Sequence, residues 1–214
     1  MTAMKEILCF GDSNTWGMIP GTDQRYPWGV RWTSILQEKL QNDGIRILED
    51  GLVGRTTVFE DSYRHRPGRN GLKALPTLLE AHRPLDGAVI MLGSNDCKSC
   101  YGATAEQIAQ GLEACLDVIL RDIPADKILV VAPIYLGEQV WRPDKDPEFD
   151  KRSVELAKSL YREYQKAADR KGVKLVDAAL FAEPSDIDNE HLTPEGHKAM
   201  ADGIYKALKA NNIV

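Results

Sequence analysis

The stretch Ile7-Leu8-Cys9-Phe10-Gly11-Asp12-Ser13-Asn14-Thr15-Trp16-Gly17 passes without a break from apolar to polar. Four apolar residues in succession suit a parallel strand buried on both faces. The Gly-Asp-Ser behind them puts a hydroxyl at the strand's C-terminal tip. The same kind of run recurs along the chain, so strands are predicted over Glu6–Phe10, Ile45–Glu49, Gly87–Leu92, Ile128–Ala132 and Val173–Val176. Helical periodicity fills the intervals, near 30–42, 71–82, 105–121 and 148–171, with a last helix at 195–210. Alternating strands and helices imply an α/β fold, a three-layer α/β/α arrangement around a five-stranded parallel sheet. The clearest helix starts at Thr104-Ala105-Glu106-Gln107, a capping box followed by Ile108, Leu112, Cys115 and Ile119 on one face. Pro147 behind Asp146, and Pro194 behind Thr193, each read as a first-turn proline after a capping residue.

The 214 residues, 43% hydrophobic and 28% charged, fit one domain over 1–214, with no repeat or linker to divide it. Lys plus Arg number 27 against 32 Asp plus Glu, a net charge of −5 with no basic stripe, which speaks against a nucleic-acid partner. Met1-Thr2-Ala3-Met4-Lys5-Glu6 is too soon charged for a signal peptide, and no apolar run approaches the roughly 20 residues of a membrane span. A cytoplasmic protein without a membrane partner is expected, with Cys9, Cys97, Cys100 and Cys115 as reduced thiols. Cys97 and Cys100 lack the second ligand pair of a structural zinc site, and no metal or other cofactor is expected. The least structured stretches, Met18–Pro27, Asp61–Asn70 and Tyr135–Pro147, follow predicted strand ends, the edge where open α/β sheets hold ligands.

A serine hydroxyl becomes a useful nucleophile when a histidine takes its proton, and an acid fixes that histidine's tautomer. Ser13 has candidate partners in Asp188-Asn189-Glu190-His191, beside the helix start at Pro194. Acyl transfer also needs donors for the developing oxyanion. Gly54, without a Cβ, lets its N–H approach a substrate closely, and Asn95 offers a side-chain amide. Singly these are ordinary turn residues: Gly-Asp-Ser is a common turn, and Gly54 and Asn95 are common loop residues. Their joint significance is that all follow strand ends or lie beyond the last strand, positions that converge on one edge of a parallel sheet.

The ordered set Gly11-Asp12-Ser13, Gly54, Gly93-x-Asn95-Asp96 and Asp188-x-x-His191 closely resembles the four blocks of the SGNH, or GDSL-type, hydrolases. The wording around the blocks, including Arg31-Trp32-Thr33, Arg55-Thr56-Thr57 and Arg69-x-Gly71, looks like the aryl esterase and acyltransferase branch. The resemblance implies a flavodoxin-like SGNH fold, Ser13 as nucleophile, His191 as general base and acid, and Asp188 as its orienting partner. It also implies an oxyanion hole of the Ser13 and Gly54 N–H groups with the Asn95 side chain. Asn14 stands where the family name has leucine, and no chemical role is assigned to it. Trp16 and Asp12, beside the nucleophile, are the expected substrate-binding residues, with Tyr26, Trp28 and Trp141 as further candidates for a pocket wall. Arg55 is either a steering charge or a loop pin, Arg69 a loop pin, and Lys98 and His197 surface or helix residues. The reading is a serine esterase of short acyl (acetyl or aryl) esters, with acyl transfer to alcohols as a further implication. Its partner is a small-molecule ester, and relatives in this branch imply a homo-oligomer. A carbohydrate O-deacetylase or a thioesterase or lysophospholipase would use the same groups, and the polar Arg64-His65-Arg66 loop favours an oxygenated alcohol. A non-catalytic flavodoxin-like binding protein is the alternative from another class.

Overall fold

Alternation along one strand builds the two cores. In β1 (Lys5–Gly11), Leu8 and Phe10 face one way and Ile7 and Cys9 the other, and all four are buried. The structure, a computed structural model, describes residues 4–214, so Met1–Ala3 of the charged N-terminal stretch lie outside the described residues. β2 (Ile45–Gly51), β3 (Gly87–Met91), β4 (Ile128–Ala132) and β5 (Lys174–Asp177) complete one parallel sheet in the order β2-β1-β3-β4-β5. The expected five strands are therefore present, with ends shifted by a residue or two. β3 and β4 are buried at every position, as the continuous apolar runs require.

A helical turn follows β1, α1 (Ser13–Trp16), and five longer helices follow: α2 (Trp32–Leu40), α3 (Gly71–His82), α4 (Ala105–Ile119), α5 (Lys151–Lys171) and α6 (Pro194–Ala210). One apolar cluster joins Leu8, Phe10 and Ile90 to Leu75, Ile108 and Leu160 of α3, α4 and α5. The opposite cluster joins Ile7, Cys9 and Val131 to Trp32, Leu36 and Ile204 of α2 and α6. Strand order 2-1-3-4-5 reverses direction between β1 and β3, and such a switch point opens a crevice at the strands' C-terminal ends.

The capping box at Thr104 forms as read, and Thr193 caps α6 with Pro194 in its first turn. The start expected at Asp146-Pro147 does not form. Asp150 caps α5 instead, accepting from the Ser153 N–H while Ser153 Oγ accepts from the Asp150 N–H. Two reciprocal bonds outweigh what Asp146 could offer, and its carboxylate takes the Glu148 N–H in a turn ahead of the helix. α1 left no periodic signal because it is four residues long. Asp12 caps it by accepting from the Asn14 N–H at 3.0 Å, and Gly17 ends it in the left-handed region at φ 87°. No helix among the described residues is long and apolar enough to cross a membrane.

Candidate active site

The turn of α1 holds Ser13 at the tip of β1, buried at 3% exposure. His191 Nε2 stands 2.9 Å from Ser13 Oγ, and His191 Nδ1 stands 2.8 Å from Asp188 Oδ2. Ser13 and His191 are 178 residues apart, and Asn14 closes that distance. Its amide donates to the Glu190 carbonyl at 3.2 Å and accepts from the Leu192 N–H at 3.0 Å, bracketing His191. The residue given no chemical role therefore has a structural one. Asp188 is fixed in turn by four hydrogen bonds: the Glu190 and His191 N–H groups on Oδ1, His191 Nδ1 and the Gly21 N–H on Oδ2.

Two more loops reach the same place. After β2, Gly54 adopts φ 82°, a conformation that other residues take only with strain, and the Arg66 guanidinium packs where a Cβ would point. After β3, the Asn95 amide donates one hydrogen to the Arg55 carbonyl at 3.1 Å and keeps its second. Asp96 ties the two loops together by accepting from the Thr57 N–H at 2.9 Å and from the Thr57 hydroxyl. The backbone N–H groups of Ser13 and Gly54 have no backbone acceptor among the described residues. Arg55 is a loop pin: buried, it donates to the Gly11 and Asp50 carbonyls at 2.9 and 2.7 Å and pairs with the Asp50 carboxylate. Arg69 pins as expected, donating to the Val53 and Pro67 carbonyls.

Ser13, Gly54, Asn95 and His191 line one cavity of about 40 Å³, together with Met18, Val53, Arg64, Arg66, Lys98, Asp146 and Glu190. It opens into a cleft of about 460 Å³ that shares Met18, Arg64, Asp146, Glu190 and His191 and adds Thr22, Asp23 and Asp144. A larger cavity, of about 790 Å³ between Leu136–Gln139 and Ala182–Asn189, touches neither Ser13 nor His191. The smaller one is where the nucleophile candidate Ser13 meets His191, Gly54 and Asn95, and chemistry outranks size in marking it as the candidate site.

Several sequence-level assignments change here. Neither Trp16 nor Asp12 lines the cavity or the cleft. Asp12 is buried as the cap of α1, and Trp16 sits over the end of β2 with the Arg25 guanidinium 5.3 Å from its ring centre. Tyr26, Trp28 and Trp141 are absent from the lining as well. Lys98 is not on the surface: it is buried in the cavity wall, 2.9 Å from Glu148 Oε2 and 3.9 Å from Asp146 Oδ2. Arg64 reaches the other oxygen of Glu148 at 2.6 Å. His197 is a helix residue but a fully buried one, its Nδ1 accepting the Trp32 N–H at 3.3 Å. The charged wall was missed because residues 64, 98, 146, 148 and 190 share no local pattern. All four cysteines are free, with Cys97 buried and Cys100 exposed, and no three His, Cys, Asp or Glu among the described residues are placed to hold a metal ion.

The electrostatics follow from burial and neighbours. Burial disfavours the His191 cation, yet the carboxylates of Glu190 and Asp188 outweigh it and lift the imidazole to about 9. Burial also pushes Asp188 upward, but hydrogen bonds from His191 and the backbone prevail and hold it down at about 2. Glu190, buried, is raised to about 7, against the pull of His191 and Lys98. A hydroxyl against an imidazole whose far nitrogen faces a carboxylate can pass its proton and become a nucleophile.

Residues 9–199 match the GDSL-like Lipase/Acylhydrolase family. The chain belongs to that family. This GDSL-family hydrolase superposes on a carbohydrate acetylesterase from Sinorhizobium meliloti with TM-score 0.85 at 36% identity, covering 96% of this chain and 99% of the other. It matches the aryl esterase of M. smegmatis with TM-score 0.86 at 32% identity, over 96% and 99% of the two chains. A lipase/acylhydrolase from Enterococcus faecalis, 21% identical with TM-score 0.70 over 97% and 96% of the two chains, shares the fold. No curated protein matches in sequence. The expected SGNH α/β fold and the esterase class hold: this GDSL-family member is a carboxylic ester hydrolase.

Proposed function

We propose that the protein hydrolyses short acyl esters, acetyl esters above all, through an acyl-enzyme on Ser13. His191 takes the Ser13 proton as Oγ attacks the ester carbonyl, and Asp188 holds the imidazole in the tautomer with Nδ1–H. The Ser13 and Gly54 N–H groups and the Asn95 amide receive the oxyanion. His191 then protonates the leaving alcohol, and water or a second alcohol releases the acyl group, the latter giving a new ester. The reaction in this form uses only groups of the chain. The observation that carries the reading is the unbroken contact from Ser13 Oγ through His191 to Asp188, at 2.9 and 2.8 Å, beside Gly54 and Asn95 in one cavity.

A cavity of about 40 Å³ admits a few atoms, which favours acetyl over fatty acyl groups. The polar cleft beyond it, with Thr22, Asp23, Asp144 and Arg64, favours an oxygenated alcohol, so a carbohydrate O-acetyl ester is the second reading. The test is a p-nitrophenyl ester series from acetate to decanoate, run on wild type and Ser13→Ala. Turnover should fall with chain length, and Ser13→Ala should lose at least about 10³-fold, as nucleophile deletions do. An organophosphate probe should modify Ser13 alone. Undiminished turnover in Ser13→Ala would sink the proposal.

A further inference from the structure

The Glu190 side chain is only 6% exposed, and neither carboxylate oxygen has a hydrogen-bond partner among the described residues, although both keep contact with the cavity and are not sealed from solvent. Its backbone, by contrast, is clamped: the N–H donates to Asp188 Oδ1 at 3.0 Å and the carbonyl accepts from Asn14 Nδ2 at 3.2 Å. Lys98, the wall lysine whose charge acts on Glu190, is already engaged by Glu148 at 2.9 Å. Buried carboxylates are normally paired. This one faces the cavity and its cleft at their junction, with Oε1 3.9 Å from His191 Nε2.

A position so shaped wants an incoming O–H. One oxygen atom lying about 2.8 Å from both Nε2 and Oε1 would see them at an angle of about 90°, close to what the two hydrogens of a water span. We propose that Glu190 is a further catalytic residue, whose carboxylate holds the water that attacks the Ser13 acyl-enzyme. This rests on the acyl-enzyme reading above. In the step, the water oxygen bonds to the acyl carbon and one water proton passes to His191 Nε2, while the other hydrogen is held by Glu190. The bond from the acyl carbon to Ser13 Oγ then breaks, and Nε2 returns its proton to Oγ. The carboxylic acid leaves, and Glu190 is unchanged.

An alcohol brings only one O–H, and that one goes to Nε2. Glu190 therefore matters for hydrolysis and little for acyl transfer to alcohols, a difference that mere structural damage would not produce. The experiment measures how the acyl-enzyme divides between water and added methanol in wild type, Glu190→Leu and the near-isosteric Glu190→Gln, with p-nitrophenyl acetate as donor. In Glu190→Leu, hydrolysis should slow by roughly 10- to 100-fold, the lower reach of acid–base effects. The ratio of methyl ester to acid should rise by about the same factor, p-nitrophenol should appear as a burst, and acetyl-Ser13 should accumulate in quenched samples. Glu190→Gln, which keeps an acceptor oxygen, should fall between. An unchanged ratio in both variants, with acetyl-Ser13 seen in wild type, would overturn the role of Glu190 alone. If quenched wild type and both variants carried no acetyl on Ser13, the acyl-enzyme reading would fall and this role with it.

Discussion

The two nitrogens of His191 look onto surroundings finished in opposite ways. On the Nδ1 side Asp188 is saturated, with four donors on two oxygens, three of them within the 188–191 segment itself. On the Nε2 side the Glu190 carboxylate has no hydrogen-bond partner, and the wall includes Lys98 and Arg64, both held by Glu148 behind them and gathered from distant loops. The contrast teaches where rigidity is needed. In the proposed reaction the orienting carboxylate must not move, and local backbone donors lock it. The reacting nitrogen must meet a substrate, so its side is left with polar groups that only a ligand completes.

The largest effect should come from the saturated side. Asp188→Asn keeps an acceptor for the Glu190 and His191 N–H groups but loses the negative partner of Nδ1–H. Ester turnover should fall by about 10³- to 10⁴-fold, with the denaturation midpoint little moved. A loss of less than about 10-fold would break the comparison, because Asp188 would then be structural only.

The wall should answer in stability before it answers in rate. Lys98→Met removes one partner of a buried ion pair and should destabilise the fold by about 3 kcal/mol, the low end for such losses because Arg64 still reaches Glu148. Urea titration measures it. A variant as stable as wild type would mean that the wall is no tighter than a surface pair.

The smallest effect, and the finest test, is on pH dependence. His191 must be neutral to accept the Ser13 proton, so a lifted pKa places the acid limb of kcat/KM above the ordinary histidine range, rising toward about pH 9. Glu190 helps to stabilise the imidazolium, so neutralising it in Glu190→Gln should lower that pKa and move the limb to lower pH by about one unit. A limb that stays in place would show that the Nε2 side does not tune the base.

Much of this was open to reading from the residues in order. Ile7–Phe10 and Ile128–Ala132 announce buried parallel strands because every position is apolar, and Thr104–Gln107 announces a helix start because both capping partners lie within one turn. Ser13, Gly54, Asn95, Asp188 and His191 could be assembled on one edge because a parallel sheet brings its strand ends together. Trp16 misled, since an aromatic beside a nucleophile in sequence need not face it. α1 carries Trp16 over β2, and its cap consumes Asp12.

Sequence by itself determined the order of strands and helices, which rests on periodicity and capping within a few residues, and its four ordered blocks carried the resemblance that implied the family and singled out Ser13, Asp188 and His191. Only the tertiary structure decided that Asn14 stitches the two ends of the chain together, that Lys98 is buried and that Glu190 faces the reacting nitrogen unpartnered. These depend on contacts across as many as 178 residues, and on which polar groups burial leaves unpaired. Neither can be read from neighbours along the chain.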